Sequence, residues 1–149
     1  MDWSVFTQGS SLQIQVHWVA AALAFFLGLI ILFRTKGTKA HKTLGWTYVA
    51  VMAIVTVTAV FIRDLPKGAS VVSLEGFSPI HALIPITVFG LFGGLRAIRK
   101  GDRRSHARRM VITFFAALVV AGLFTFVPGR RMHQLFFGAP APAERSAPN

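Results

Sequence analysis

The chain contains no cysteine and only 5 acidic residues among 149. Without cysteine it can form no disulfide, no cysteine-ligated iron–sulfur cluster, no tetrathiolate zinc site and no covalent c-type haem attachment. A cofactor held without a covalent link, by histidine or methionine, remains open. Charged residues make up 14% and hydrophobic residues 54% of the chain, which excludes a disordered protein and argues against an ordinary soluble one.

Basic residues are common although charge as a whole is scarce. Lys and Arg number 16, which gives a formal net charge of +11, and the mean hydropathy is +0.59. The basic residues stand in short clusters between long apolar runs, whereas a nucleic-acid-binding protein would spread them over a solvated fold. We therefore expect a membrane protein with no nucleic-acid partner, and the length fits one domain.

Four apolar stretches are each long enough to cross a membrane. A hydrocarbon core about 30 Å thick needs roughly 20 residues of helix. The second stretch is rich in Val and Thr, a pattern typical of strands in soluble proteins, but in lipid the backbone must satisfy its own hydrogen bonds, which favours a helix. The predicted spans are residues 12–33, 44–62, 79–98 and 110–127.

These spans predict an all-α integral membrane protein, an up-and-down four-helix bundle. Residues 1–128 are expected to form the transmembrane domain, and residues 129–149 a tail on the outer side. Pro85, together with the glycines of the third span, makes that helix the one expected to kink or to pack closely.

The distribution of basic residues predicts the orientation. The two loops that join span one to two and span three to four hold eleven of the 16 Lys and Arg, whereas the other side holds four of the five acids. The positive-inside rule then places both basic loops in the cytoplasm and both termini on the outer, periplasmic side of a bacterial inner membrane. Membrane lipids with anionic headgroups are the partners expected at the basic loops.

Four of the five histidines fall one to a span. His17 and His81 lie near the outer ends of spans one and three, and His41 and His106 lie at the inner starts of spans two and four. A b-type haem held between two helices needs one imidazole on each side of the iron at matched depth. The pattern therefore predicts two bis-histidine haem b groups in the bundle core, one near each membrane face, with the four histidines as iron ligands.

Two glycines are expected to leave room for the macrocycles. Gly45 follows His41 by four residues and so lies on nearly the same helical face. Gly28 follows His17 by eleven residues, about 20° away around the helix, at the depth of the inner haem. Both are candidate cofactor-binding positions.

Plainer interpretations of these histidines stay open. An intramembrane histidine can simply form a hydrogen bond with a neighbouring helix. His41 and His106 also fit ordinary basic segments at the membrane interface. His133 lies in the tail among basic residues, where a loop position is expected.

Short motifs carry a resemblance to known families. HKTLGW opens the second span, SPIH opens the third and SHARRM precedes the fourth; together they resemble a family of small bacterial predicted membrane proteins of unknown function. One histidine per helix, with alternate helices serving each haem, resembles the di-haem core of the cytochrome b561 superfamily. That resemblance implies electron transfer across the membrane between small reductants, quinones or redox protein partners. It also implies His17 and His81 as outer ligands, and His41 and His106 as inner ones.

The sequence thus predicts a transmembrane electron-transfer b-type cytochrome. The alternative is a non-catalytic structural or assembly subunit of a larger membrane complex, since the spans carry much apolar surface, including Phe25, Phe26, Phe114 and Phe115. A transporter is disfavoured because the middles of the spans hold almost no polar groups. No nucleotide-binding or nucleophilic motif is present, so any enzymatic activity would be redox chemistry carried by the cofactor.

Overall fold

The computed structural model describes residues 11–62 and 82–126, and within them the chain forms four helices and no strand. The all-helical class is therefore confirmed. His81 and the predicted tail, residues 129–149, lie outside the described residues. The helices are α1 (Leu12–Phe33), α2 (Lys39–Phe61), α3 (Leu83–Arg99) and α4 (Arg103–Thr125), the last with a π-helical segment at Phe115–Val120.

Three of the helices, α1, α2 and α4, are long and apolar enough to cross a membrane. Helix α1 has the predicted bounds. The described part of α3 has 17 residues, and the predicted third span, residues 79–98, starts before the described residues resume. Three candidate spans are thus found, and the fourth crossing stays a prediction.

Helices α2 and α4 begin earlier than the predicted spans because polar residues cap them. The Thr38 hydroxyl accepts a hydrogen bond from the His41 backbone N–H at 3.1 Å, and the Asp102 carboxylate accepts one from the Ser105 backbone N–H at 2.9 Å. Such caps satisfy N–H groups that the first helical turn leaves free. Hydropathy marks only the apolar part of each helix, and therefore missed the first five residues of α2 and the first seven of α4.

A tight turn joins α3 to α4. Gly101 has a φ of 80°, the left-handed conformation that favours glycine. The Gly101 N–H donates to the Ile98 carbonyl and the Asp102 N–H to the Ala97 carbonyl, both at 3.0 Å, which is the Schellman pattern of a helix end. Asp102 ends this turn and caps the next helix, so the basic ends of α3 and α4 lie side by side.

The threonines of α2 satisfy their own hydroxyl groups. Thr56 donates to the Met52 carbonyl and Thr58 to the Ile54 carbonyl, each at 2.7 Å and each four residues back along the helix. Because no threonine hydroxyl of α2 needs a partner outside the helix, a Val- and Thr-rich segment can run through lipid as a helix. The helical prediction for this segment is confirmed.

All four helices contribute to one core. Helix α1 packs mainly on α2 and α3 mainly on α4, while smaller contacts join α2 to α3 and α1 to α4. Many large apolar side chains point outward, as expected of helices surrounded by lipid; Phe33, for example, is 86% exposed. The shared core consists of Ala24, Tyr48, Met52, Leu91, Phe114 and Leu118.

The glycines of α3 bring α4 close. A Cβ at Gly90 would collide with the Thr113 hydroxyl, one at Gly94 with the end of Met110, and one at Gly93 would lie 2.6 Å from the Arg109 guanidinium. Pro85 lies in the first turn of α3, where its missing N–H breaks no helical hydrogen bond. The third helix therefore packs closely and is a continuous α-helix, and the irregular backbone is found in α4 instead.

The prediction that Phe114 adds to the outer apolar surface is wrong. Phe114 is only 3% exposed, and the half-buried Phe25 stacks on it with ring centroids 5.7 Å apart. Phe26 and Phe115 are exposed as expected. Phe114 turns inward because Gly28 on α1 has no side chain, which leaves space for the ring.

Candidate functional site

Each of the three described histidines lies on the buried face of its own helix. Residues seven apart in an α-helix differ by only about 20° around its axis. Every one of these histidines lies seven residues from a side chain that is at most 5% exposed. The pairs are His17 with Ala24, His41 with Tyr48, and His106 with Thr113.

His17 forms hydrogen bonds with α2. Its Nδ1 lies 3.1 Å from the Val55 carbonyl oxygen and 2.9 Å from the Thr58 hydroxyl oxygen. A carbonyl oxygen can only accept, so Nδ1 carries a proton, and Nε2 is the ring nitrogen not used in these hydrogen bonds. The Thr58 hydroxyl gives its own proton to a carbonyl of α2 and is free to accept from the imidazole.

His106 is held in the same way by α3. Its Nδ1 donates to the Gly94 carbonyl oxygen at 2.9 Å. Gly94 is buried, and its lack of a side chain lets α4 approach closely at this point. In His106 as well, Nε2 is the ring nitrogen not used in this hydrogen bond.

His41 differs from the other two. Its Nδ1 is buried and has no hydrogen-bond partner among the described residues. Its charge interacts with those of His106 and Lys36, so the two imidazoles of α2 and α4 lie within electrostatic range of each other. The structure thus places His41 and His106 at the same end of the helices.

His17 lies toward the other end. The carbonyl that it contacts belongs to Val55, fourteen residues after His41 in the same helix. At 1.5 Å per residue, the two levels are about 21 Å apart along the helix axis. The structure therefore separates His17 from the pair formed by His41 and His106. His81, the partner predicted for His17, lies outside the described residues, so that pairing stays a prediction.

The two candidate glycines have different surroundings. A Cβ at Gly45 would meet no atom within 4 Å, so the space beside it is open. A Cβ at Gly28 would lie 2.6 Å from Cε2 of Phe114 and 3.1 Å from Cε2 of Tyr48. The volume beside Gly28 is thus filled by two aromatic side chains, and a macrocycle at that depth requires them to move. The cofactor-binding role of either glycine is not tested and stays a prediction.

Two buried hydroxyls on the inward faces were not found by sequence reasoning. The Tyr48 hydroxyl and the Thr113 hydroxyl have no hydrogen-bond partner within the described segments, although these residues are only 5% and 1% exposed. Leaving such a group unpaired costs about 1–3 kcal/mol, so each one indicates a place where a polar partner would be stabilising. The sequence does carry one signal for them: Tyr48 follows His41, and Thr113 follows His106, by seven residues, or two helical turns.

The described residues contain no group of three or more His, Asp or Glu side chains that could hold a metal ion. Bis-histidine haem ligation uses only two protein ligands on each iron. The absence of a group of three or more ligands among the described residues therefore concerns sites such as those that hold zinc, and not bis-histidine ligation.

Fold and comparison together define the class and the family. Three apolar helices of membrane-spanning length around a shared core make this a helical membrane protein. Residues 14–138 match the family described as "Predicted membrane protein (DUF2306)", and the chain belongs to this family. No curated protein and no solved structure matches the chain.

Proposed function

We propose that the protein is a b-type cytochrome that transfers electrons across a bacterial inner membrane. In this proposal four spans form an up-and-down bundle with both termini outside, and two haem groups lie near opposite faces. His41 and His106 are the inner ligands, and His17 and His81 the outer ligands. When bound, haem supplies a reversible one-electron change at iron.

The placement of His17, His41 and His106 on inward faces is the observation that carries the proposal. An ionisable residue on the inward face of a membrane-spanning helix is expensive and usually has a functional role. These three residues share that position on three different helices, at two different depths. Scattered histidines that serve only helix packing would not be expected to repeat this pattern.

The hydrogen bonds of His17 and His106 also fit ligation. A histidine that binds a metal usually donates its other ring N–H to a backbone carbonyl or a carboxylate, which fixes the tautomer and orients the ring. The Val55 and Gly94 carbonyls would have this role for His17 and His106, and Nε2 of neither residue forms a hydrogen bond within the described segments. In both residues Nε2 is therefore the ring nitrogen that would bind iron.

At the inner site the two histidines suit a haem iron, but the space for the macrocycle is partly filled. His41, whose buried Nδ1 has no hydrogen-bond partner among the described residues and which lies within electrostatic range of His106, would supply the second imidazole. The open space beside Gly45 favours a ring next to His41, whereas Phe114 and Tyr48 must move from the space beside Gly28.

Haem counts in matched histidine variants test the proposal. We expect two haems per chain in the purified wild-type protein. His41→Ala and His106→Ala should each remove the same haem, and His17→Ala and His81→Ala should each remove the other, while His133→Ala keeps both. A count unchanged by all four substitutions would contradict ligation. Loss of one shared haem in His17→Ala and His41→Ala would contradict the pairing by depth.

A second candidate function, a structural or assembly subunit of a larger complex, rests on an outward aromatic patch. Phe89 and Phe92 of α3 are 71% and 65% exposed and lie three residues apart, on one side of the helix. Such a patch fits lipid tails or a partner helix. Co-purification of a larger complex that survives replacement of all four histidines would favour this function over electron transfer.

A further inference from the structure

A basic pocket lies at the start of α4, beside His106. Its volume is about 300 Å³, and Ser105, Arg108, Arg109 and Ile112 line it. These residues occur at spacings of three and four and therefore share one face of the helix. Ser105 directly precedes His106 and points about 100° away from it, whereas Arg109, three residues after His106, lies about 60° from it, so the pocket borders the candidate inner site.

The position of Arg109 is set by α3. Its guanidinium lies over Gly93, where any larger side chain would take its space. The group is therefore held in the groove between α3 and α4. Arg108 is exposed on the same face.

The positive charge of the pocket is not neutralised within the described segments. The only acidic residue in them is Asp102, and neither arginine forms an ion pair with it. Hydrogen bonds from Ser105, first from its side chain and then from its backbone, lower the pKa of the Asp102 carboxyl, and the charge of Arg109 adds a smaller effect. Two guanidinium groups thus face the pocket with free capacity to donate hydrogen bonds, whereas the Ser105 hydroxyl already donates to the Asp102 carboxylate.

The fourth lining residue is apolar and exposed. Ile112 is 50% exposed and lies one turn further into the membrane-spanning helix than Arg108. The pocket therefore has a cationic end and an apolar end, arranged along the direction in which a phospholipid stands in a bilayer.

We propose that this pocket binds the phosphodiester headgroup of an anionic phospholipid. Arginine pairs with phosphate through two parallel hydrogen bonds, and basic pockets between transmembrane helices bind anionic headgroups. The guanidinium groups of Arg108 and Arg109 hold the phosphate, and Ile112 contacts the first part of an acyl chain. Free inorganic phosphate shares the headgroup chemistry but lacks the apolar contact.

Lipid binding to the full-length protein in neutral detergent tests the proposal. Native mass spectrometry would measure retention of phosphatidylglycerol against phosphatidylcholine. We expect phosphatidylglycerol to be preferred, and we expect the double variant Arg108→Gln/Arg109→Gln to lose about ten-fold more affinity than Arg103→Gln/Arg104→Gln. The second pair removes the same charge from the same helix but does not line the pocket.

Three results would overturn the proposal. Equal losses in the two double variants would mean that charge acts diffusely and no pocket is used. Equal retention of the two lipids would mean that the headgroup charge is not recognised. Displacement of the lipid by millimolar inorganic phosphate would identify the ligand as free phosphate. Far-ultraviolet circular dichroism of each variant checks that it is folded. The variant Arg108→Lys/Arg109→Lys should retain part of the lipid affinity, because it keeps the charge but not the paired hydrogen bonds.

Discussion

Substitution of Gly90 by alanine has two opposite effects on the free energy of unfolding, one from helix propensity and one from the close packing of α3 on α4. In an open helical position, glycine to alanine stabilises by up to about 1 kcal/mol. At Gly90 the new Cβ would collide with the Thr113 hydroxyl and lie 3.2 Å from its Cβ. Threonine is stiff at χ1, so the helices must shift, and such overpacking costs about 1–3 kcal/mol.

The matched control is Gly122→Ala in α4, since a Cβ there would meet no atom within 4 Å. We expect the free energy of unfolding of Gly90→Ala to lie about 1–3 kcal/mol below that of Gly122→Ala. The assay is denaturation in detergent followed by circular dichroism. Addition of Thr113→Ala should relieve most of the collision, so the double-mutant cycle should give a favourable coupling. Equal stabilisation by both alanines would refute the proposed contact between α3 and α4.

Two further predictions concern the helix start and the core. Asp102→Ser keeps an uncharged cap at the start of α4. The variant should lose the pH dependence of the free energy of unfolding that the Asp102 carboxylate causes. Because the folded-state pKa of Asp102 is lowered, its stabilisation is complete above the ordinary carboxyl pKa of 3.8 and is lost as the pH falls through the lowered pKa. An unchanged acid titration of stability in Asp102→Ser would contradict this role. Phe114→Ala should cost about 3–5 kcal/mol in the free energy of unfolding, and the exposed neighbour Phe115→Ala much less; equal costs would contradict the inward position of Phe114.

Much of the helical architecture could be predicted because it depends on local properties of the sequence. Hydropathy located α1 to the residue and predicted a helix in the Val- and Thr-rich second span. It missed the starts of α2 and α4, which Thr38 and Asp102 determine as caps. Those starts could have been found from the capping residues, since a cap and a following helix are local in sequence.

The surroundings of the candidate site could not be predicted, because they depend on how the helices are placed against one another. The partners of His17 and His106 are backbone carbonyls, which every residue has and no sequence pattern distinguishes. The filling of the space beside Gly28 by Phe114 depends on the relative depth of α1 and α4. The periodicity of one helix predicts its buried face but not the residue that faces it.

The central claim is that this protein holds haem b through pairs of histidines. A reduced-minus-oxidised optical spectrum of the purified protein from haem-replete cells, with pyridine haemochrome quantification, tests it most directly. The account predicts the Soret and α-band changes of a b-type cytochrome and two haems per chain. A folded protein that is colourless under these conditions would contradict it.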